Sequence, residues 1–292
     1  MITFADLGAH GRLGNQLFQY AALKSLGLSK GYEVKIPNPS SRLWHGQECL
    51  LDNFSLECGF LTQQDTEEIK YLYLEPDINR YDKNIISLPD HTNLLGFFQS
   101  TKYFTAHSDQ IRKEFQLKRE LDEECREHIL KLKRDHGCEI VSVHLRRGDQ
   151  TDGTNPSSVN FYGKGNHLED TSIYGSYFNK AKEVFKNRKI KFLVFSGGSR
   201  KEESNASDLE WCKYNFKDDI FLFAEGNSTI KDFGLIKSCD HNITCHSTSF
   251  GWWAAYLNEN PSKIVTAPKY YFVEDRTLTR EGFYPDNWNL LL

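Results

Sequence analysis

The chain holds 292 residues, 39% of them hydrophobic and 26% charged, with a formal net charge of −4. That is enough apolar chain for one large α/β domain or two compact units. It excludes a general polyanion binder, because a nucleic-acid partner would leave a basic stripe and none is visible, so any anion site must be local.

The opening MITFADLGAHGRLGNQ lacks a charged-then-apolar leader pattern, and no window holds about 18 apolar residues. The expectation is a cytoplasmic chain with no transmembrane segment, with contact at a membrane surface left open. Residues 2–7 (ITFADL) read as a strand and 8–14 as a glycine-punctuated turn. NQLFQYAALKSLGLSKG then reads as a helix with Leu17, Phe18, Ala21, Ala22 and Leu26 on one face, and Gly31 stands where a helix-ending glycine belongs. YEVKIP resumes the two-residue period. The spacing G-x-x-G-x-x-G in the turn is not the dinucleotide fingerprint. Residues 94–104 (LLGFFQSTKYF) are strand-like and then turn. Residues 109–134 carry apolar spacing at Ile111, Phe115, Leu121, Cys125, Ile129 and Leu132, which predicts one or two amphipathic helices ended by His136-Gly137. A domain boundary is placed there, giving units 1–136 and 137–292.

The second half alternates. EIVSVHL (139–145), KFLVFSGG (191–198), DIFLFAE (219–225), HNITCHS (241–247) and KIVTAP (263–268) read as strands. Between them IYGSYFNKAKEVFKNR, SDLEWCKYNF, TIKDFGLIKSC and STSFGWWAAYLNEN read as helices, the third opening on a Thr229-x-x-Asp232 capping box. Such alternation predicts a parallel sheet covered on both faces, hence an α/β fold of two Rossmann-like halves. The seven cysteines form no C-x-x-C pair, so they are read as small, mostly buried thiols. Sequons at Asn53, Asn205, Asn227 and Asn242 carry little weight alone.

In open parallel sheets ligands bind beyond the carboxyl ends of the strands, near helix N-termini. Arg146-Arg147-Gly148-Asp149, Ser196-Gly197-Gly198 and His246-Ser247-Thr248-Ser249 all follow strands on that rim. Two guanidinium forks and a hydroxyl-rich helix start would cradle a diphosphate. Ser247–Ser249 also serve as ordinary helix caps. The histidines show no i,i+4 pairing and no Asp-x-Asp has apolar flanks, so no metal is expected and Arg146 and Arg147 would absorb the charge of a leaving diphosphate.

GRLGNQLFQYA (11–21), GFFQSTKYF (96–104), VHLRRGD (143–149) and SCDHNITCHSTSFGWWAAYLNENPSKIV (238–265) together resemble the α-1,2-fucosyltransferases of glycosyltransferase family 11, and GFYPDNW resembles their ending. The resemblance implies a GT-B fold of two Rossmann-like domains facing across a cleft. The first would be the acceptor side and the second would bind GDP-β-L-fucose, with the last segment packing back on the first. It implies inverting, metal-independent transfer of L-fucose to O2 of a terminal galactose in a glycan acceptor. The H-x-R-R-x-D motif is also similar to one in core α1,6- and protein O-fucosyltransferases, where it contacts the donor diphosphate.

Carried over, Arg146 is assigned to the β-phosphate and Arg147 to supporting it or the loop. His144, Ser196, Ser247, Thr248 and Ser249 are assigned to the donor, and Asn15 and Gln16 to the diphosphate or acceptor. Trp252 and Trp253 are read as helix core and pocket wall, and Asp232 as a cap that could also orient an arginine. One departure is plain. Family members often carry an acidic residue after the strand ending here in FLVFSGG, where it can accept from guanine. This chain has Gly197-Gly198, a polar insertion and then Asp208, so either Asp208 or a main-chain carbonyl would read the base. The general base is open between Asp149 and His10. The long polar and aromatic loop 150–172 is assigned to acceptor binding or lid closure. Alternatives are another linkage, another GDP-sugar, or a non-catalytic nucleotide-sugar or glycan-binding protein.

Overall fold

The structure is a computed structural model describing residues 1–44, 47–148, 172–197, 202–270 and 280–292. It divides into two compact units, Met1–Arg119 with Arg280–Asp286, and Glu120–Thr279 with Asn287–Leu292.

The first unit contains β1 (Ile2–Thr3), α1 (Leu13–Lys30), β2 (Val34–Ile36), β3 (Leu43–Trp44), β4 (Gln47–Glu48), β5 (Gly59–Phe60), α2 (Gln63–Glu67), β6 (Tyr71–Leu74), β7 (Thr92–Leu95) and α3 (Ser108–Glu114). Five strands form a parallel sheet in the order β5-β2-β1-β7-β6, while β3 and β4 make a separate antiparallel pair. The strand expected over residues 2–7 stops at Thr3, because the chain turns at once: Leu7 and Ala9 donate their amides to Phe4 and Asp6. Gly31 does end α1, at φ 67°, where L residues with a Cβ are strained.

The second unit contains α4 (Arg119–His136), β8 (Glu139–Leu145), α5 (Ile173–Glu183), β9 (Ile190–Ser196), α6 (Glu202–Asn215), β10 (Phe221–Phe223), α7 (Thr229–Ser238), β11 (His241–Ile243), α8 (Phe250–Leu257), β12 (Val265–Pro268) and β13 (Asn289–Leu291). All six strands are parallel, in the order β10-β9-β8-β11-β12-β13. Counted from β8 that is 3-2-1-4-5-6, the doubly wound order. Both units are therefore α/β on parallel sheets, as expected of a GT-B chain. On one face of β8, Val141, Val143 and Leu145 join Tyr174, Tyr177, Phe178, Phe192, Val194, Trp211 and Cys212 in one buried cluster. α5 supplies its share because its buried aromatics repeat at helical spacing, and Ser172 caps it by accepting from the Gly175 amide at 3.1 Å.

The sequence placed the boundary at residue 136, whereas the division falls at Arg119/Glu120. α4 goes with the second unit because its inner face is fastened there: Lys237 donates to Asp122 at 2.8 Å, both side chains nearly buried, and the Cys125 thiol meets the Lys231 carbonyl at 3.7 Å. The segment 280–286 belongs to the first unit, where Thr101 donates to the Gly282 carbonyl at 2.8 Å and Phe283 stacks on Phe18 at 5.8 Å. The cap of α7 is Ser228, one residue before the expected Thr229, its hydroxyl accepting from the Lys231 amide. α6 starts at Glu202, so part of the polar insertion read as loop is helix. All seven cysteines are free, five of them buried. Among the described residues no helix is long and apolar enough to cross a membrane.

Candidate functional site

The switch point of the second sheet lies between β8 and β11, where connections leave in opposite directions, the place at which sheets of this order bind ligands beyond their carboxyl ends. The sequence delivers its unusual side chains there. β8 runs buried to Leu145 and turns immediately: the Arg147 amide donates to the Leu145 carbonyl at 3.1 Å. The Arg146 amide donates to the Cys245 thiol at 3.3 Å, which ties the end of β8 to the chain leaving β11. The Arg146 guanidinium reaches over that chain and donates to the Ser247 carbonyl.

Ser247 adopts φ 52°, a left-handed conformation costly for a residue with a Cβ. That turn brings its carbonyl to Arg146 and starts α8. Thr248, 3% exposed, caps the helix: its hydroxyl accepts from the Gly251 amide at 3.3 Å and lies 3.5 Å from His144 Nδ1. Ser249 occupies the N-cap position without a side-chain capping bond. His144, also buried, has Nδ1 3.7 Å from Cys245 Sγ and its ring 5.5 Å from Phe250. Ser196 closes the neighbouring strand end by donating to the Leu145 carbonyl at 3.1 Å. Nearby, burial pushes the Cys212 thiol up to about 12, so it stays protonated and unreactive.

Arg147 turns the other way, onto α6. Its Nε donates to Asp208 at 3.2 Å, its guanidinium carbon sits 3.8 Å from the Trp211 ring centroid, and the second Asp208 oxygen accepts the Gly148 amide at 2.8 Å. Asp208 was a candidate for reading guanine; the structure engages both its oxygens with the arginine turn. His144, Arg146, Arg147, Ser196, Asp208, Ser247 and Thr248 thus form one hydrogen-bonded rim. Asp149, Gly198 and nearly all of the loop 150–172 lie outside the described residues.

His10, Asn15 and Gln16 sit on the first unit, past the carboxyl end of β1. His10 is exposed, its ring 5.0 Å from Phe97. Asn15 accepts from Gln99 at 2.7 Å. Gln16 is buried: its amide donates to the Gly11 carbonyl at 2.9 Å and its carbonyl accepts from the Cys49 thiol at 3.4 Å. The neighbouring Glu75 carboxylate accepts the Phe97 amide at 2.7 Å, and burial lifts its pKa. Asp232 is half-buried and accepts from Asn227 at 3.0 Å, with burial raising its pKa from 3.8 to about 6. Trp252 and Trp253 are fully buried, as their reading as core required.

Sequence reasoning passed over Cys245, Trp211, Gly251 and Gln99. A signal existed for two of them. Trp211 follows Asp208 by three positions, so both share a helix face, and a glycine inside an apolar helix, as at Gly251, marks a close approach. A Cβ on Gly251 would stand 2.7 Å from His144 Nδ1. Among the described residues no group of three His, Cys, Asp or Glu is placed to hold a metal ion.

The family model described as Glycosyl transferase family 11 matches residues 2–291. The chain is 26% identical to an alpha-1,2-colitosyltransferase of Escherichia coli, over 95% of each chain. It is 28% identical to galactoside alpha-(1,2)-fucosyltransferase 1 of Bos taurus, over 85% of this chain and 64% of that one. A mutant of Arabidopsis thaliana FUT1 solved in complex with GDP superposes with a TM-score of 0.52 at 12% identity, covering 99% of this chain and 75% of that one, which shows a shared fold.

Proposed function

Because the chain belongs to glycosyl transferase family 11, we propose that it transfers L-fucose from GDP-β-L-fucose to O2 of a terminal galactose in a glycan acceptor, with inversion and without a metal. The observation that carries this reading is the Arg146 guanidinium on the Ser247 carbonyl at the switch point of a 3-2-1-4-5-6 sheet. A cation fixed at that place, beside the start of α8, suits a nucleoside diphosphate.

The acceptor oxygen attacks C1 of the sugar, the C1–O bond to the diphosphate breaks, and its electron pair leaves on the β-phosphate. Arg146 stabilises that charge in the crossing state more than before it, which is how a fork of fixed donors accelerates the step. His144 and Thr248 act beneath it, packing the α8 start against β8. The acceptor proton goes to a base, for which Asp149 and His10 are the candidates; the acceptor side is assigned to the first unit. A different GDP-linked sugar is a second reading, favoured by the colitosyltransferase relative that spans nearly the whole chain.

Incubation with GDP-fucose, a GDP-linked colitosyl donor and a panel of β-galactosides, with product linkage read by NMR, tests both. A 2-linked α-fucoside is expected, and a kcat/KM higher for the colitosyl donor moves the assignment to the second reading. GDP binding without turnover on any acceptor would leave a non-catalytic binder and overturn the proposal.

A further inference from the structure

β8 ends at Leu145, and the turn that follows sends the two arginines to different partners. Arg146 goes to the Ser247 turn, whereas Arg147 goes to α6. There Asp208 and Trp211, three residues apart on one helix face, take it from its edge and its plane. The Arg147 and Asp208 side chains are 12% and 4% exposed. A carboxylate that reads guanine must offer its oxygens to the N1 and N2 donors. Here one oxygen holds a guanidinium and the other holds the Gly148 amide at 2.8 Å.

We infer that Asp208 and Trp211 are positioning residues: they lock Arg147 and, through Gly148, the turn that aims Arg146, and they do not read the base. The two arginines divide the labour. Arg147 is the anchor, its charge balanced inside the protein, and Arg146 faces the ligand. The inference deepens the donor reading above and rests on it for its ligand, a nucleoside diphosphate. It explains how Asp208 can stand on a helix after a polar insertion without being displaced by a ligand: its partners are supplied by the chain itself.

Calorimetric titration of GDP and of inosine diphosphate, which lacks the 2-amino group of guanine, into the intact chain and its variants tests this. Asp208→Asn should weaken both nucleotides equally, by about tenfold, the scale of one hydrogen bond to a charged group. Arg147→Gln with Asp208→Asn should bind no more weakly than Arg147→Gln alone, because both remove one interaction. Trp211→Leu should weaken both nucleotides in parallel, and Trp211→Phe, which keeps an aromatic face, should restore most of the affinity.

Loss of the preference for GDP over inosine diphosphate in Asp208→Asn, with affinity for the latter intact, would make Asp208 a base reader and overturn the inference. So would additive losses in the double variant, or a lowered urea midpoint with unchanged affinity per folded molecule. Should the unsubstituted chain bind neither nucleotide, the donor reading falls by itself. The inference is then decided by urea midpoints of the same variants, where a coupling of zero between Asp208 and Arg147 sinks it.

Discussion

Replacing Gly251 by alanine puts opposing physical effects on one atom. Gly251 is the second residue of α8, and its backbone is not in the left-handed region. On helix propensity alone the added methyl would gain about 1 kcal/mol. The methyl would, however, stand 2.7 Å from Nδ1, 3.2 Å from Cγ and 3.4 Å from Cβ of His144. His144 is 9% exposed and confined by Cys245, Thr248 and Phe250, so its ring cannot swing into solvent. Overpacking of this kind costs about 1–3 kcal/mol. The clash would also push α8 outward and loosen the bond from the Gly251 amide to Thr248, a cap worth about 1 kcal/mol. Strain and cap together exceed the propensity gain, so we expect a net loss of about 2 kcal/mol, read as a shift of the urea midpoint at constant slope. GDP affinity should fall with it, because the same displacement moves Ser247 away from Arg146. The His144→Ala background supplies the control. With the ring gone the clash disappears, and Gly251→Ala should become neutral or stabilising, a coupling of roughly 2–3 kcal/mol. Equal costs of Gly251→Ala with and without the His144 ring would refute the packing argument.

Arg146→Lys should lower kcat/KM about 100-fold or more with the fold intact by circular dichroism, since a point charge cannot reproduce the fork that reaches both Ser247 and a phosphate. EDTA should leave the transfer rate unchanged, and a collapse restored by a divalent cation would refute metal independence. Asp232 gives a pH signature: with its folded pKa raised from 3.8 to about 6, the native state holds a proton that the unfolded state has released. Stability should therefore fall as pH rises through that window, by at most roughly 3 kcal/mol, and Asp232→Asn should flatten the profile. A profile unchanged by the substitution would count against the burial of that carboxyl. For the base, Asp149→Asn and His10→Ala are to be compared in kcat against pH; the variant that loses the acidic limb, where the base takes up a proton and the rate falls, identifies the proton acceptor.

Much of the rim was legible because it rests on local rules. Glycine spacing, strand alternation and a hydroxyl cluster before an apolar helix placed Arg146, Ser196 and Thr248 at strand ends, and the parallel order made those ends neighbours. For Gln16 and Asp208 the sequence could not show which partners the fold supplies. A polar side chain in a motif looks available to a ligand until the partners brought by other elements are known. Cys49 lies far along the chain from Gln16, and Arg147 and Gly148 precede Asp208 by about sixty residues.

By itself the sequence determined the alternation of strands and helices, the parallel α/β class and the short stretch that carries two arginines off a buried strand, because periodicity and capping act within a few residues. Tertiary structure decided where α4 belongs and how the two arginines divide. Those outcomes turn on which distant side chains meet in a dry interior, where an unpaired charge is too costly to leave alone. Neighbours in sequence, Arg146 and Arg147 end on different partners, and only the packing of α6 on one side and the Ser247 turn on the other gives each its task.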